Sequence, residues 1–195
     1  MADKEQRHKH QPSPGEQYSQ GIHAMRLPHM QFVYRIVCQM TGDNTIIDNI
    51  QDTNVSRLVL PIAGGTVSGP GIKGIIVPNS GADWAQLVGG EQQRFLRLEA
   101  RYTLRTDDGH DILVNAKGVY NRQPESKFGA DEAVPTVTQD DVEYFTHLSF
   151  EASSKSPYHW MNRIVAIGVM TMFEKQPIID CYRITNFPGL DPSRL

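Results

Sequence analysis

Cysteine, tryptophan and surplus basic charge are all scarce in this chain of 195 residues, which has two cysteines, two tryptophans and a formal net charge of −3. Cys38 and Cys181 lie far apart and show no metal-ligand spacing. They fit two buried thiols in a reducing cytoplasm better than a disulfide framework. With 19 Lys and Arg against 22 Asp and Glu, nothing electrostatic favours nucleic acid or an anionic membrane as partner. No window approaches the roughly 18 apolar residues of a membrane span, and the N-terminus lacks the apolar segment of a secretory signal. A cytoplasmic location is therefore expected.

Other absences narrow the chemistry. The Gly-x-Ser-x-Gly turn of many serine hydrolases is missing. The stretch Ala63-Gly64-Gly65-Thr66-Val67-Ser68-Gly69-Pro70-Gly71 is rich in glycine, but no helix follows and no Gly-Lys-Ser/Thr stands within it. It therefore reads as tight turns and close strand crossings, not as a phosphate loop. Histidines 8, 10, 23 and 29 sit in or beside a polar N-terminal stretch with no rigid element to fix metal geometry. Neither a metal nor an organic cofactor is expected. Residues 1–24 contain almost no aliphatic side chains and read as a disordered tail, leaving 25–190 as the folded domain.

What is present is a succession of short apolar runs punctuated by Gly, Pro, Asn and Asp. Strands are expected over 31–40, 56–62, 65–69, 71–77, 94–105, 111–120, 142–151, 161–173 and 178–185. Short helices are allowed only near 80–88 and 154–161. This pattern predicts an all-β domain, a single antiparallel barrel of about eight strands, in which closure removes exposed edges.

One hairpin can be registered from the pattern alone. Leu96, Leu98, Ala100, Tyr102 and Leu104 alternate with Arg97, Glu99, Arg101, Thr103 and Arg105. The next strand places Ile112, Val114, Ala116 and Tyr120 on one face, with Asn115 and Lys117 on the other. A two-residue Asp-Gly turn would set apolar against polar. A three-residue loop, Asp107-Asp108-Gly109, pairs Thr106 with His110 and matches like with like. Glu99 then faces Lys117, and Arg101 faces Asn115. Alternation does not say whether this charged face lines the barrel or meets solvent.

Further candidates gather at Pro78-Asn79-Ser80-Gly81-Ala82-Asp83-Trp84, where a carboxylate and an indole could flank a barrel mouth. A second group is Pro157-Tyr158-His159-Trp160-Met161-Asn162-Arg163, rich in aromatics, bases and an amide. His147 lies inside a strand and titrates near neutrality if it faces a pocket.

Several segments in order resemble a family known as domain of unknown function 3237, or uncharacterised protein family 0311. They are Pro61-Ile62-Ala63-Gly64-Gly65-Thr66, Gly69-Pro70-Gly71-Ile72-Lys73-Gly74, Gly81-Ala82-Asp83-Trp84, Glu99-Ala100-Arg101-Tyr102-Thr103-Leu104, Thr106-Asp107-Asp108-Gly109 and Tyr158-His159-Trp160-Met161-Asn162-Arg163. The resemblance covers about residues 30–185. It implies a small, self-associating antiparallel barrel and says little about reaction. Glu99 stands where the family pattern usually has Asp, and His147 where Arg is common. Barrels of comparable build, such as allene oxide cyclases and dirigent proteins, steer cyclisations without cofactors, an analogy of fold only.

The resulting expectation is a cofactor-independent isomerase or cyclase acting on a phenolic or polyketide-like molecule, for example ring closure of a chalcone-like enone. Arg101 and Lys117 would stabilise a phenolate or enolate, Glu99 would orient them, and His147 would carry the proton. Asn115, Asp83, Trp84, Tyr158, Trp160, Asn162 and Tyr102 would bind the substrate, although Tyr102 sits on the apolar face of the hairpin. The competing expectations are a non-catalytic carrier of a hydrophobic aromatic molecule and an oligomeric scaffold with no pocket.

Overall fold

The computed structural model describes residues 25–89, 95–122 and 136–191; the tail expected over 1–24 lies outside them. Ten strands account for most of this span. They are β1 (His29–Met40), β2 (Thr45–Ile47), β3 (Val55–Gly69), β4 (Ile72–Ile76), β5 (Gly81–Val88), β6 (Phe95–Thr106), β7 (Asp111–Arg122), β8 (Val142–Ala152), β9 (Val165–Phe173) and β10 (Gln176–Thr185). Helical structure among the described residues is limited to two 3-10 segments, Ile50–Asp52 and His159–Arg163. No described helix is long and apolar enough to cross a membrane.

The strands run antiparallel in the order β1-β10-β9-β8-β7-β6, continue through β4 and β5 to β3, and return to β1. β4 and β5 occupy one position in turn, because both pair β3 on one side and β6 on the other. β2 flanks β3 at residues 57–59. The result is a closed eight-stranded antiparallel barrel with two additional strands.

Three local features depart from the sequence-based expectations. The segments 56–62 and 65–69 form one continuous strand, β3, which changes partners midway. Its first half pairs β5 from Val55↔Val88 to Ile62↔Gly81, and its second half pairs β4 and β1. The pivot is Gly64-Gly65, where a Cβ on Gly65 would lie 2.2 Å from the Val37 carbonyl oxygen. Glycine there permits a backbone contact that any side chain would block. The stretch 80–88, where a short helix was allowed, is instead strand β5. It pairs along its length with β3 and in part with β6, and this cross-strand pairing overrides the weak helical propensity of Ala82, Ala85 and Leu87. Near 154–161 only a 3-10 turn forms, displaced to His159–Arg163.

The β6–β7 hairpin follows the register read from the alternation. Glu99 pairs with Lys117, Arg101 with Asn115, and Arg105 with Asp111. Beyond them the Thr106 N–H donates to the His110 carbonyl at 2.9 Å, and Gly109 turns the chain at φ 87°. Core positions then fall on every second residue. Tyr102 and Leu104 of β6, Ile112 and Val114 of β7, and Leu148 and Phe150 of β8 are buried with Tyr34, Ile36 and Cys181. Both cysteines are free and buried.

The pivot yields a clear test. Gly65→Ala should cost more than about 3 kcal/mol in urea unfolding, since neither clashing backbone can yield without opening the β1–β3 seam. Gly71→Ala, with nothing within 4 Å of the added carbon, should stay within about 0.5 kcal/mol. Similar losses for both variants would contradict the seam.

Candidate functional site

The sidedness left open by the sequence is settled by burial. The face of Glu99, Arg101 and Lys117 is exposed, while Leu98, Tyr102 and Leu104 are buried. The charged hairpin face therefore looks outward, and its apolar partner lines the barrel. Tyr102, the candidate that sat on the apolar face, is the one β6 candidate that reaches the interior.

The interior holds a cavity of ≈ 260 Å³ towards the end marked by Met40, Tyr120 and Tyr144. Most of its wall is aliphatic, aromatic or thioether, from Leu60, Ile62, Leu98 and Met170 among others. Into this wall β5 projects Asp83. Its cross-strand neighbours are Leu60 on β3 and Ala100 on β6, so two small or apolar side chains flank the carboxylate. Period-two alternation sends the next residue, Trp84, to the outside, where it is 38% exposed. The Asp-Trp pair is thus split across the sheet.

Asp83 also alters the sheet locally. The β5–β6 ladder runs through Asp83↔Ala100 and resumes at Gln86↔Arg97, with no pairing between. The Glu99 N–H in that gap donates instead to Asp83 Oδ1 at 3.2 Å. Burial in the apolar wall pushes the Asp83 carboxyl up to about 6. The Glu99 N–H works in the opposite direction, and the Glu99 charge adds to the rise. Charged-form desolvation wins because one neutral donor replaces only part of a carboxylate's hydration.

The thiol and phenols around the cavity are held neutral, and the Arg122 guanidinium also stands on its wall. Burial raises Cys38 to about 12, aided by the Asp83 charge. Burial likewise raises Tyr102 and Tyr144, with Asp83 contributing at Tyr144. The cavity therefore offers one carboxyl that titrates near neutrality, phenols and a thiol that stay protonated, and one guanidinium, Arg122. No group of three or more His, Cys, Asp or Glu suited to a metal occurs among the described residues.

The remaining candidates fall into two other places. Trp84, Glu99, Arg101, Asn115 and Lys117 meet on the outer surface, joined by Arg57, around a depression of ≈ 370 Å³. Lys117 Nζ lies 3.0 Å from Glu99 Oε1, and Arg101 Nε donates to Asn115 Oδ1 at 2.6 Å. His147 is exposed on β8 opposite Lys117.

Tyr158 and Trp160 line an open cleft of ≈ 530 Å³ at the other end of the barrel, beside Phe32, Ile72 and Arg183. There the Tyr158 hydroxyl donates to Asp108 at 3.0 Å. The Asn162 amide brackets Ala152, accepting its N–H at 2.7 Å and donating to its carbonyl at 2.8 Å. Asn162 thereby pins the 3-10 turn to β8. Arg183 is buried and donates to Gln31 Oε1 at 2.7 Å and to the Leu190 carbonyl, which ties the segment after β10 to the barrel.

Sequence reasoning did not single out Cys38, Leu60, Tyr144 or Arg57. Tyr144 carried a readable signal, since it is in phase with the apolar positions Leu148 and Phe150. Arg57 carried none, because its place depends on β3 pairing with β5.

The chain is thus of the class of small closed antiparallel β-barrels. Within that class the chain belongs to the family described as "Protein of unknown function (DUF3237)", which residues 28–184 match. A UPF0311 protein of Rhodopseudomonas palustris is 29% identical over 160 residues, covering 79% of this chain and 95% of that one. Among solved structures, a β-barrel-like protein from Acinetobacter baumannii superposes with a TM-score of 0.69 at 24% identity, over 84% of this chain and all of the other. A protein described as an enzyme from Penicillium herquei gives a TM-score of 0.59 at 21% identity, covering 82% and 96%. At these identities the two structural likenesses speak for the fold.

The Asp83 environment predicts a pH-dependent stability. The folded state binds this proton more tightly than the unfolded chain, whose carboxyl titrates near 3.8. The favourable contribution is therefore complete below that value and lost as pH rises through about 6. Asp83→Asn should match wild type below about pH 4 and exceed it by about 2–3 kcal/mol above about pH 7. Denaturant unfolding at a series of pH values measures the difference. A pH-independent gap would show that the carboxyl is hydrated.

Proposed function

We propose that the barrel is a cofactor-independent isomerase or cyclase for a compact phenolic or polyketide-like molecule, with Asp83 as the group that moves the proton. The observation that carries this reading is Asp83 itself, the one carboxyl among the described residues lining the cavity, held near neutral pKa by burial. An acid–base group is most effective when its pKa lies close to the working pH. A purely structural barrel would gain stability by replacing it with an apolar residue.

The cavity volume of ≈ 260 Å³ admits on the order of a dozen non-hydrogen atoms at interior packing density. That suits one ring or two fused rings carrying a short side chain. For ring closure of a hydroxyaryl enone, the Asp83 carboxylate takes the phenol proton. The phenolate oxygen then forms the C–O bond at the β-carbon, and the enone π electrons move to the carbonyl oxygen. The protonated Asp83 returns its proton to the α-carbon, so the step is redox-neutral and needs no co-reactant. Tyr102 and Tyr144, kept protonated by burial, supply hydroxyl donors for the transient enolate. The apolar wall lowers the local dielectric, which strengthens both interactions. A protein of this fold described as an enzyme is consistent with catalysis in such a barrel.

The test is a panel of small hydroxyaryl enones, followed by absorbance and by product chirality. Wild type should give a stereochemically biased product, with a rising acid limb in kcat near pH 6. Asp83→Asn should lower kcat by about 10²-fold or more while ligand affinity changes only a few-fold. Binding without turnover in wild type would favour the carrier over the enzyme. Turnover undiminished in Asp83→Asn would remove Asp83 from the mechanism.

A further inference from the structure

On the outer surface of β3, β5, β6 and β7, we infer that the depression formed by Arg57, Trp84, Arg101, Asn115 and Lys117 is a second site, which binds a planar organic anion of the aromatic carboxylate type. It lies across the sheet from the cavity and rests on none of the chemistry proposed there.

Charge is the first support. Three cations, Arg57, Arg101 and Lys117, surround one carboxylate, Glu99, in the ≈ 370 Å³ depression. The depression is thus cationic in a chain whose formal charge is −3. All three cations act on Glu99: Lys117 through a direct bond, and Arg57 and Arg101 through space, and together they hold its carboxyl below the usual range. One carboxylate neutralises one of them, leaving the guanidinium groups with charge to spare.

Donor geometry is the second support. Arg101 is committed through Nε to Asn115 Oδ1, and Arg57 through Nη1 to the Trp84 carbonyl at 2.8 Å. Among the described residues no further hydrogen bond engages the two Nη groups of Arg101, or Nε and Nη2 of Arg57. Each arginine is anchored by one bond and presents the rest of its fork outward. Such an anchored fork loses little entropy on meeting a carboxylate bidentately.

Shape and surface chemistry are the third. The Trp84 indole is 38% exposed, beside these cations, on a strand where the alternation gives it no core to fill. An indole beside two guanidinium groups favours a flat π-system that carries a negative group. An inorganic anion would leave the indole unused, and a neutral aromatic would leave the forks unused.

The probe is benzoate, with benzamide as its neutral counterpart, titrated into the full-length chain. The readout is the pair of indole N–H resonances, because the chain has two tryptophans and Trp84→Phe assigns one of them. Benzoate should shift the Trp84 resonance saturably and leave Trp160 in place, and added salt should weaken the effect. Arg57→Gln and Arg101→Gln should each reduce affinity about fivefold or more, with Arg101→Lys intermediate. Asp83→Asn should leave the titration unchanged. Equal affinity in the arginine variants, or an equal response to benzamide, would overturn the site. Loss of the Trp84 shift in Asp83→Asn alone would place the anion in the barrel interior. A benzoate shift that tracks dissociation of a dimer in sedimentation velocity would make the face an interface between copies, also against the proposal.

Discussion

The close approach of β3 to β1 at Gly64-Gly65 is the constraint on which the rest of the molecule depends. With a Cβ on Gly65 excluded by the Val37 carbonyl, the two backbones pair from Arg35↔Ser68 to Cys38↔Gly65 and close the sheet. Closure fixes the sidedness of the hairpin: Tyr102, Leu104, Ile112 and Val114 are enclosed, while Glu99, Arg101, Arg105 and Lys117 meet solvent. The same pivot redirects the first half of β3 onto β5. Asp83 is therefore held between Leu60 and Ala100, with Trp84 on the opposite side of the sheet.

Enclosing Asp83 has an energetic cost that the fold retains. Its carboxyl, raised to about 6, opposes folding whenever it is ionised, and one Glu99 N–H at 3.2 Å offsets this only in part. The gap in the β5–β6 ladder adds a second local weakness at the same place. A buried carboxyl and a break in the ladder coincide on one side chain. Such coincidences arise where a site has demands that stability alone does not have. The neighbouring Cys38 and Tyr144 are not similar liabilities, because each remains in its neutral form.

Much of this architecture was legible in the chain, and the illegible part has a definite physical origin. The hairpin register could be read because alternation on two adjacent strands overdetermines it: Leu96 to Leu104 and Ile112 to Tyr120 can match like with like in only one loop length. The family motifs likewise fixed a barrel. Alternation is silent on which face is inside, since a charged face can line a ligand cavity or meet water. Glu99, Arg101, Asn115 and Lys117, whose side of the sheet the pattern leaves open, lie outside, while Tyr102 lines the cavity. Strand β5 was obscured because Gly81-Ala82-Asp83-Trp84-Ala85-Gln86 carries little β propensity of its own, and its pairing with β3 comes from residues 19 to 33 positions away. Arg57 was invisible for the same reason.

The sheet between β5 and β6 thus separates two environments made from one stretch of sequence. On its inner side a carboxyl stands in apolar surroundings that weaken its acidity. On its outer side cations surround Glu99 and strengthen its acidity. Adjacent backbone positions connect them, because the N–H that steadies Asp83 belongs to the residue whose side chain Lys117 holds outside. Loss of that donor would raise the Asp83 carboxyl further, so the peptide of Glu99 serves the interior while its side chain serves the outer face.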